Sequence, residues 1–379
     1  MPMKSKLYMI LKKLSERKSR QHFKDLYRNE YKFFDSDKDK KSASLMKKEM
    51  RILHKYWGCY PFQYIRYGMY KKSCKMSMEE MKTYVPNFFL FYLFFPRFYK
   101  DYFMVSEDKE LFYRVLDSMK ISQPTLLLQY KEGVFYDKNK NTISAKEADQ
   151  IIVESKAEKL FFKPTLGLGG NGIIVFNKKD HYCDKMDNRL TAELIIKLVK
   201  DSENYLLQEG VVQHDEINQI YPHALNTFRI YTEYNNGKAR ILNTYFRMGQ
   251  GGNQVDNASQ KGFVCGVNST NGSFAPFATS KLFAKIDRHP DTKFIYKNYT
   301  FPFWNEIQKF VLTSTEKLEK FRYIGWDIAY SKDGPLAIEI NASPGPHSLQ
   351  DCFGGAKEMF GIKDPKKYWY NRNFVIKDV

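Results

Sequence analysis

Residues 325–345, GWDIAYSKDGPLAIEINASPG, hold two apolar, β-prone runs, 325–330 and 336–341, on either side of a Lys332-Asp333-Gly334 turn. Gly334 supplies the positive φ that a three-residue hairpin loop needs. With Asp333 at the loop centre, Asp327 faces Glu339 across the strands, and Asn341 follows two residues on along the same face. Trp326, Ile328, Ile338 and Ile340 then fall on the other face. Alternating polar and apolar residues also describe an ordinary half-solvated hairpin. Charge argues against that plain reading. Two carboxylates directly opposite one another repel, whereas a hard cation turns the repulsion into binding. Two carboxylates and an amide oxygen suit magnesium, which keeps several waters and binds substrate phosphates beside one or two protein carboxylates.

A phosphate site is available in LFFKPTLGLGGNGIIVF, residues 160–176. An apolar run ends at Lys163-Pro164, a stretch with Gly167, Gly169, Gly170 and Gly172 follows, and a β-branched run resumes at Ile173. Glycine lets backbone N–H groups approach phosphates closely, and a nearby lysine neutralises them. No Gly-Lys-Ser/Thr closes the stretch, so it is not a Walker A loop. A strand follows it rather than a helix, so it is not a dinucleotide-binding turn either. It reads as a β-hairpin with a glycine tip, although a plain long turn has the same composition.

The lysine hairpin, a Gln208-Glu209-Gly210 stretch, an Asn226-Thr227-Phe228-Arg229 strand, then Asp327 and Glu339-x-Asn341 follow one another in a fixed order. That order resembles the ATP-grasp superfamily, and within it the sugar-transfer-associated ATP-grasp proteins of bacterial polysaccharide gene clusters. The resemblance covers about residues 106–350. It implies an α+β fold in which two α+β lobes sandwich ATP, placed after a basic, mainly helical N-terminal region.

What the resemblance implies can be carried over residue by residue. Lys109, in an early helix, resembles the basic residue that touches ATP phosphate, and a solvated helix lysine is the alternative. Lys163 resembles the phosphate-binding lysine of a central strand, and the tip with Gly169 and Gly170 resembles the lid over the triphosphate. Leu207 to Val211 resembles the hinge that holds the adenine edge, so Gln208, Glu209 and Val211 count there largely through main-chain atoms. His214, Asp215 and Glu216 lie where the family often has an acidic ribose ligand; the choice among them stays open, with Glu216 within reach. Arg229 resembles the strand arginine that faces the γ-phosphate or the acyl phosphate, with a surface strand arginine as the alternative. Arg247 and Asn257 resemble residues on the acceptor side, where an arginine balances a transferring phosphoryl group or a substrate carboxylate. Asn257 beside serine and glycine also suits a turn.

The implied chemistry is phosphorylation of a substrate carboxylate by ATP with Mg2+ held at Asp327, Glu339 and Asn341, followed by amine attack on the acyl phosphate. The expected activity is an ATP-dependent carboxylate–amine ligase acting on a carboxylated sugar or glycan precursor in surface polysaccharide biosynthesis. Two alternatives stay open: an ATP-grasp kinase for a hydroxyl acceptor, and a non-catalytic polyanion- or membrane-binding protein. No Ser-His-Asp or Cys-His set is evident.

The chain carries a net charge of +18, and its first 100 residues, with 24 basic and 9 acidic side chains, hold most of the excess. Leu7, Ile10, Leu11 and Leu14 recur there at helical spacing among lysines. Residues 1–34 therefore read as an amphipathic helix for an anionic membrane face, or as a solvated helix packing on its own domain. No helix-turn-helix, zinc-finger or RNP pattern points to nucleic acid. The strongest apolar run, Phe88 to Pro96, is about nine residues, short of the roughly 18 of a membrane span, and reads as buried packing. No apolar signal-peptide core is visible, so a cytoplasmic protein is expected, with the inner membrane face as its second location. The five cysteines lack C-x-x-C spacing and read as reduced thiols. The expected domains are residues 1–105, an ATP-grasp unit over 106–350 with its lid at about 151–212, and a tail over 351–379.

Overall fold

The computed structural model describes residues 3–99, 102–167, 172–199, 203–253, 262–280 and 285–369. Two antiparallel sheets organise the part beyond residue 120. The first contains β1 (Leu126–Lys131), β2 (Val134–Asp137), β3 (Thr142–Ile143), β4 (Lys159–Pro164), β5 (Ile174–Lys178), β6 (Tyr182–Cys183) and β7 (Asn204–Glu209), in the order β3-β2-β1-β7-β4-β5-β6. The second contains β8 (Thr227–Asn235), β9 (Lys238–Met248), β10 (Phe263–Val267), β11 (Phe274–Ser280), β12 (Lys285–Ile286), β13 (Tyr323–Ser331) and β14 (Gly334–Asn341), in the order β12-β11-β10-β9-β8-β13-β14. The chain is α+β. Strands on either side of residue 151 share the first sheet, so residues 126–209 form one layer around Leu128, Leu160, Phe162, Phe176 and Leu207.

The β13–β14 hairpin differs from its sequence reading in one respect that bears on the site. Ser331 pairs with Gly334, so the loop has two residues, Lys332 and Asp333, and Gly334 sits at φ 104°. A loop one residue shorter would misalign Asp327 and Glu339. A bulge restores them: Ile328 faces Ala337 while Asp327 faces Glu339, which leaves Ile338 as an extra residue in β14. Ile338 therefore lines the same pocket as Glu339 instead of the opposite face.

The N-terminal region is helical, with α1 (Met3–Leu26), α2 (Arg28–Ser36) and α3 (Ala43–Trp57) leading. Ser42 caps α3 by accepting from the Leu45 N–H at 3.3 Å, and Gly58 ends it in the left-handed region at φ 68°. The Phe88 to Pro96 run folds as a π-type turn over Phe89–Phe94, and Phe88, Phe89, Leu90, Leu93, Phe94 and Phe95 are all buried. Phe94 and Phe95 meet Tyr323 of β13 and Phe360, so the aromatic run ties the helical region to the second sheet. Each such side chain removed from water contributes roughly 1.5–3 kcal/mol before entropy is counted. Residues 351–369 are packed too: Ala356, Phe360 and Ile362 are buried, and Trp369 covers Gly58.

Candidate functional site

The two sheets meet at a pocket. From the first sheet and its loops come Phe161 and Lys163 of β4, Gly167, Gln208 and Glu209 at the end of β7, and then Val211; the helix Lys109–Ser118, whose Phe112 packs into the core of the second sheet, adds Lys109 and Phe112. From the second come Thr227 of β8, Arg247 of β9, Asp327 of β13, and Ile338 and Glu339 of β14. The crossing between lobes is fixed by backbone, because the Glu209 N–H donates to Thr125 O at 2.9 Å and the Gly210 N–H to Lys159 O at 2.8 Å. A Cβ on Gly210 would stand 3.0 Å from that same Lys159 oxygen, so the close approach requires glycine.

The second-lobe wall is built around a buried ion cluster. Arg229 donates through Nε to Asp327 Oδ1 and through a terminal nitrogen to Asp327 Oδ2 at 2.8 Å, a bidentate grip. Arg247 approaches Asp327 Oδ2 at 3.3 Å, and its Nε donates to Thr227 Oγ1 at 3.1 Å. Asp327 is 2% exposed. Burial works against its ionisation, but Arg229 and Arg247 outweigh that and hold its carboxyl below the usual range. Glu339, opposite Asp327, is shifted the other way. Burial and then the Asp327 charge raise its pKa, and the pull of Arg229, Arg247 and Lys109 does not cancel them. Among the described residues Glu339 has neither a hydrogen bond nor an ion pair.

On the first-lobe wall, burial pushes the Lys163 ammonium down to about 8, with the Lys109 charge adding to the effect and Glu339 opposing it. Lys109, also lowered by burial, donates its Nζ to Gly167 O at 2.8 Å. Two ammonium groups held below their usual range beside a carboxylate held above its own describe a pocket short of anionic charge on one side and cationic charge on the other. An anion and a cation entering together would relieve both.

Of the residues expected from the sequence, Lys109, Lys163, Gln208, Glu209, Val211, Arg247, Asp327 and Glu339 line this pocket. Arg229 stands behind Asp327 instead of facing the cavity, because its guanidinium is taken up by that carboxylate. Glu216, the expected ribose ligand, is not among the lining residues. Its carboxylate accepts from Gln219 at 2.6 Å and from the Tyr299 hydroxyl at 3.2 Å, in a short turn capped by His214. Gly169, Gly170 and Asn257 lie outside the described residues. Sequence reasoning missed Phe112, Phe161, Thr227 and Ile338. Phe161 was within reach of it, since strand alternation from Lys163 puts residue 161 on the same face.

The trio proposed for magnesium can be tested against its surroundings. Among the described residues no group of three or more His, Cys, Asp or Glu side chains is placed to hold a metal ion, and the trio contains only two. It has what such a group would lack, an amide oxygen. Glu339 is a carboxylate penalised by burial with no cation against it, which fits a divalent cation there. Asn341 is not among the lining residues, and its buried side-chain nitrogen, a donor without a partner, calls for an acceptor and not for a metal. Asp327 lines the pocket but is already shared with two arginines.

Several comparisons bear on this arrangement. The family described as sugar-transfer associated ATP-grasp matches residues 94–352. No curated protein matches the chain. Among solved structures, D-alanine--D-alanine ligase from Bacillus anthracis is similar at 14% identity and a TM-score of 0.37, over 70% of this chain and 69% of its own. VanG D-Ala:D-Ser ligase from Enterococcus faecalis is similar at 12% identity and a TM-score of 0.39, over 70% and 62%. D-alanyl-alanine synthetase A from Vibrio cholerae is similar at 13% and 0.40, over 70% and 65%. The match thus spans less than two thirds of the second and third of these. The family match takes in both sheets and every residue that lines the pocket, and the chain belongs to the sugar-transfer associated ATP-grasp family.

Proposed function

We propose that the protein is an ATP-dependent carboxylate–amine ligase that activates its acid as an acyl phosphate. The observation that carries this reading is the one pocket in which Lys109 and Lys163 face Arg247, Asp327 and Glu339. Lysines suit the phosphates of ATP, and the carboxylates suit a magnesium ion. A magnesium ion held there would supply positive charge against that which develops on the transferring group.

The residues of this chain then have separate tasks. Lys163 and Lys109 neutralise and orient the triphosphate, and their ammonium protons become harder to remove once it is bound. A substrate carboxylate oxygen attacks the γ-phosphorus, the bond to ADP breaks, and an acyl phosphate remains. Arg247 offers positive charge to the acid and the transferring phosphoryl group. The amine next bonds to the acyl carbon, inorganic phosphate departs, and the nitrogen gives up a proton to water. Arg229 is a positioning residue, which fixes Asp327 without reaching the cavity. The pocket holds about 170 Å³. Ligand clefts usually offer roughly 300–1,000 Å³, so the Lys109–Gly167 contact opens to admit ATP and recloses to keep water from the acyl phosphate.

A carboxylated sugar or glycan precursor as the acid and an amino acid or other amine as the nucleophile complete the reading, supported by the sugar-transfer association of the family. Incubation with ATP, magnesium, candidate sugar acids and hydroxylamine is the test. A hydroxamate that forms only when ATP and an acid are both present supports the ligase. A stable phosphate ester with no hydroxamate would replace it with a kinase.

The membrane partner also finds support in an unusual feature of α1. The helix turns Lys12, Ser15 and Ser19 inward, where they are buried, while Ile10, Leu11 and Leu14 are 55%, 39% and 47% exposed. Lys12 Nζ donates to Gly58 O at 2.5 Å, which holds the helix in that orientation. An outward apolar stripe among lysines and arginines complements an anionic bilayer surface. Among the described residues no helix is long and apolar enough to cross a membrane.

A further inference from the structure

A second cleft, of about 840 Å³, opens between the N-terminal helices and the helix His347–Phe353, on residues that take no part in the nucleotide pocket. Its floor is charged. Arg66 donates to Glu30 Oε1 through one terminal nitrogen and to Asp351 Oδ2 at 2.6 Å through the other. The side chains of Arg66, Glu30 and Asp351 are only 3%, 2% and 3% exposed. One guanidinium between two carboxylates leaves an excess of one negative charge. The remaining oxygens, Glu30 Oε2 and Asp351 Oδ1, are buried and have no hydrogen-bond partner. Buried carboxylate oxygens without donors are costly, which is why polar groups in such places are normally paired. The strain shows in Asp351, whose carboxyl burial pushes up to about 6 even with Arg66 pulling the other way.

The walls narrow the choice of what would complete the cluster. Tyr67, Tyr70, Tyr84 and Phe33 line the cleft, and the Tyr67 hydroxyl accepts from Gln350 Nε2 at 3.0 Å, which fixes that ring over the floor. Aromatic faces attract cations and shelter an apolar body. Two lysines line the cleft and neither pairs with Glu30 or Asp351: Lys71 is engaged with Asp37 at 3.2 Å and lies 4.7 Å from the centre of the Phe33 ring, and Lys75 is exposed. An ammonium group brings one positive charge and three N–H donors, enough for both orphan oxygens.

We propose that this cleft is a second ligand site, which binds a small molecule bearing a primary ammonium group on an aromatic or apolar body, with Glu30 and Asp351 as its anionic receptors. The site stands apart from the ligase reading. Its helix His347–Phe353 follows directly on the Pro344–Gly345 loop, which packs against Gly325 and is tied to β8 by the Tyr231 hydroxyl donating to Gly345 O at 2.6 Å.

The experiment titrates tyramine, N-acetyltyramine and magnesium chloride, each alone, into the full-length protein by isothermal calorimetry, with ATP affinity measured on the same samples. Tyramine is expected to bind, and N-acetyltyramine, which lacks the charge, to bind about tenfold more weakly or worse. Asp351→Asn is expected to weaken tyramine by a similar factor and to leave ATP affinity unchanged. Because that variant alters a buried cluster, a second measurement spares it. Cys74 lines the cleft and is half-buried, Cys59, Cys183 and Cys265 are buried, and burial holds the thiol of Cys352, the other half-buried cysteine, well above its usual range, so N-phenylmaleimide added to the folded protein is expected to cap Cys74 first, with peptide mass mapping to verify the site. A single adduct at Cys74 is expected to block tyramine. Absence of tyramine binding, equal binding of N-acetyltyramine, unchanged affinity after capping, or saturable binding of magnesium at Asp351 instead would each overturn the proposal. Failure of the ligase reading has a different signature, since Glu339→Gln is expected to leave tyramine binding untouched.

Discussion

Arg229 and Asp327 lie directly opposite one another on β8 and β13 and are joined by two parallel hydrogen bonds, with Asp327 almost fully buried. Removing one member of a buried pair leaves the other charge without compensation, typically at about 3–5 kcal/mol. Arg229→Met is therefore expected to lower the midpoint of chemical denaturation strongly. Arg229→Lys keeps the charge but not the fork, and should fold while losing about tenfold or more in ATP turnover. Full activity in the lysine variant would show that only charge matters at this position.

Glu339→Gln removes a carboxylate that burial and Asp327 both disfavour. The variant is expected to match or exceed the wild type in thermal stability while ATP turnover disappears. Turnover within about tenfold of wild type would remove Glu339 from the phosphoryl-transfer machinery.

Lys163, lowered to about 8 by burial and by Lys109, predicts the alkaline limb of activity. The charged form binds phosphate, so kcat/KM for ATP should fall as pH rises through about 8. The stability effect has the opposite sign. Between that value and the ordinary lysine range the unfolded chain holds the proton more tightly, so this group makes the fold more stable as pH rises. Lys163→Arg stays charged and should flatten the kcat/KM limb. A limb that persists in the variant would assign it to another group.

Gly58 takes φ 68°, and a Cβ there would run into the indole of Trp369. Gly58→Ala is expected to destabilise by about 1–3 kcal/mol from backbone strain alone, and to free the segment around Trp369. Limited proteolysis near residue 369 reads the second effect, and an unchanged cleavage rate would mean that the indole adjusts.

The exposed α1 stripe makes a prediction about surfaces. Ile10→Ser with Leu11→Ser and Leu14→Ser should reduce flotation with phosphatidylserine liposomes without lowering the melting temperature, because those side chains already face water. Undiminished flotation would leave the basic residues alone responsible. Loss of flotation at high salt in both proteins would confirm that share.

Much of the site was legible because its residues obey strand alternation: Asp327 with Glu339, and the lysine hairpin of β4 and β5. What stayed hidden depends on tertiary pairing. Nothing local indicates that Arg229 would meet Asp327, 98 residues away, and so be turned from phosphate to carboxylate. The surroundings of Glu216 were hidden for a similar reason, since Gln219 in its own turn and Tyr299 from a distant segment bond to it. The short loop and the bulge were invisible together because their errors cancel at Glu339. The buried role of Lys12, Ser15 and Ser19 runs against hydrophobic patterning and is set by Gly58 and the surrounding packing.

The extra residue in β14 has a consequence for how the pocket tolerates change. Strand register is unforgiving, because a slip of one position turns every side chain to the other face. Ile338 lies outside that count, since its neighbours Ala337 and Glu339 are already paired with Ile328 and Asp327. It is a position where a lineage can enlarge or shrink the wall beside the carboxylate without moving the carboxylate itself. Substrate range can therefore drift at Ile338 while the chemistry two strands deep is inherited unaltered.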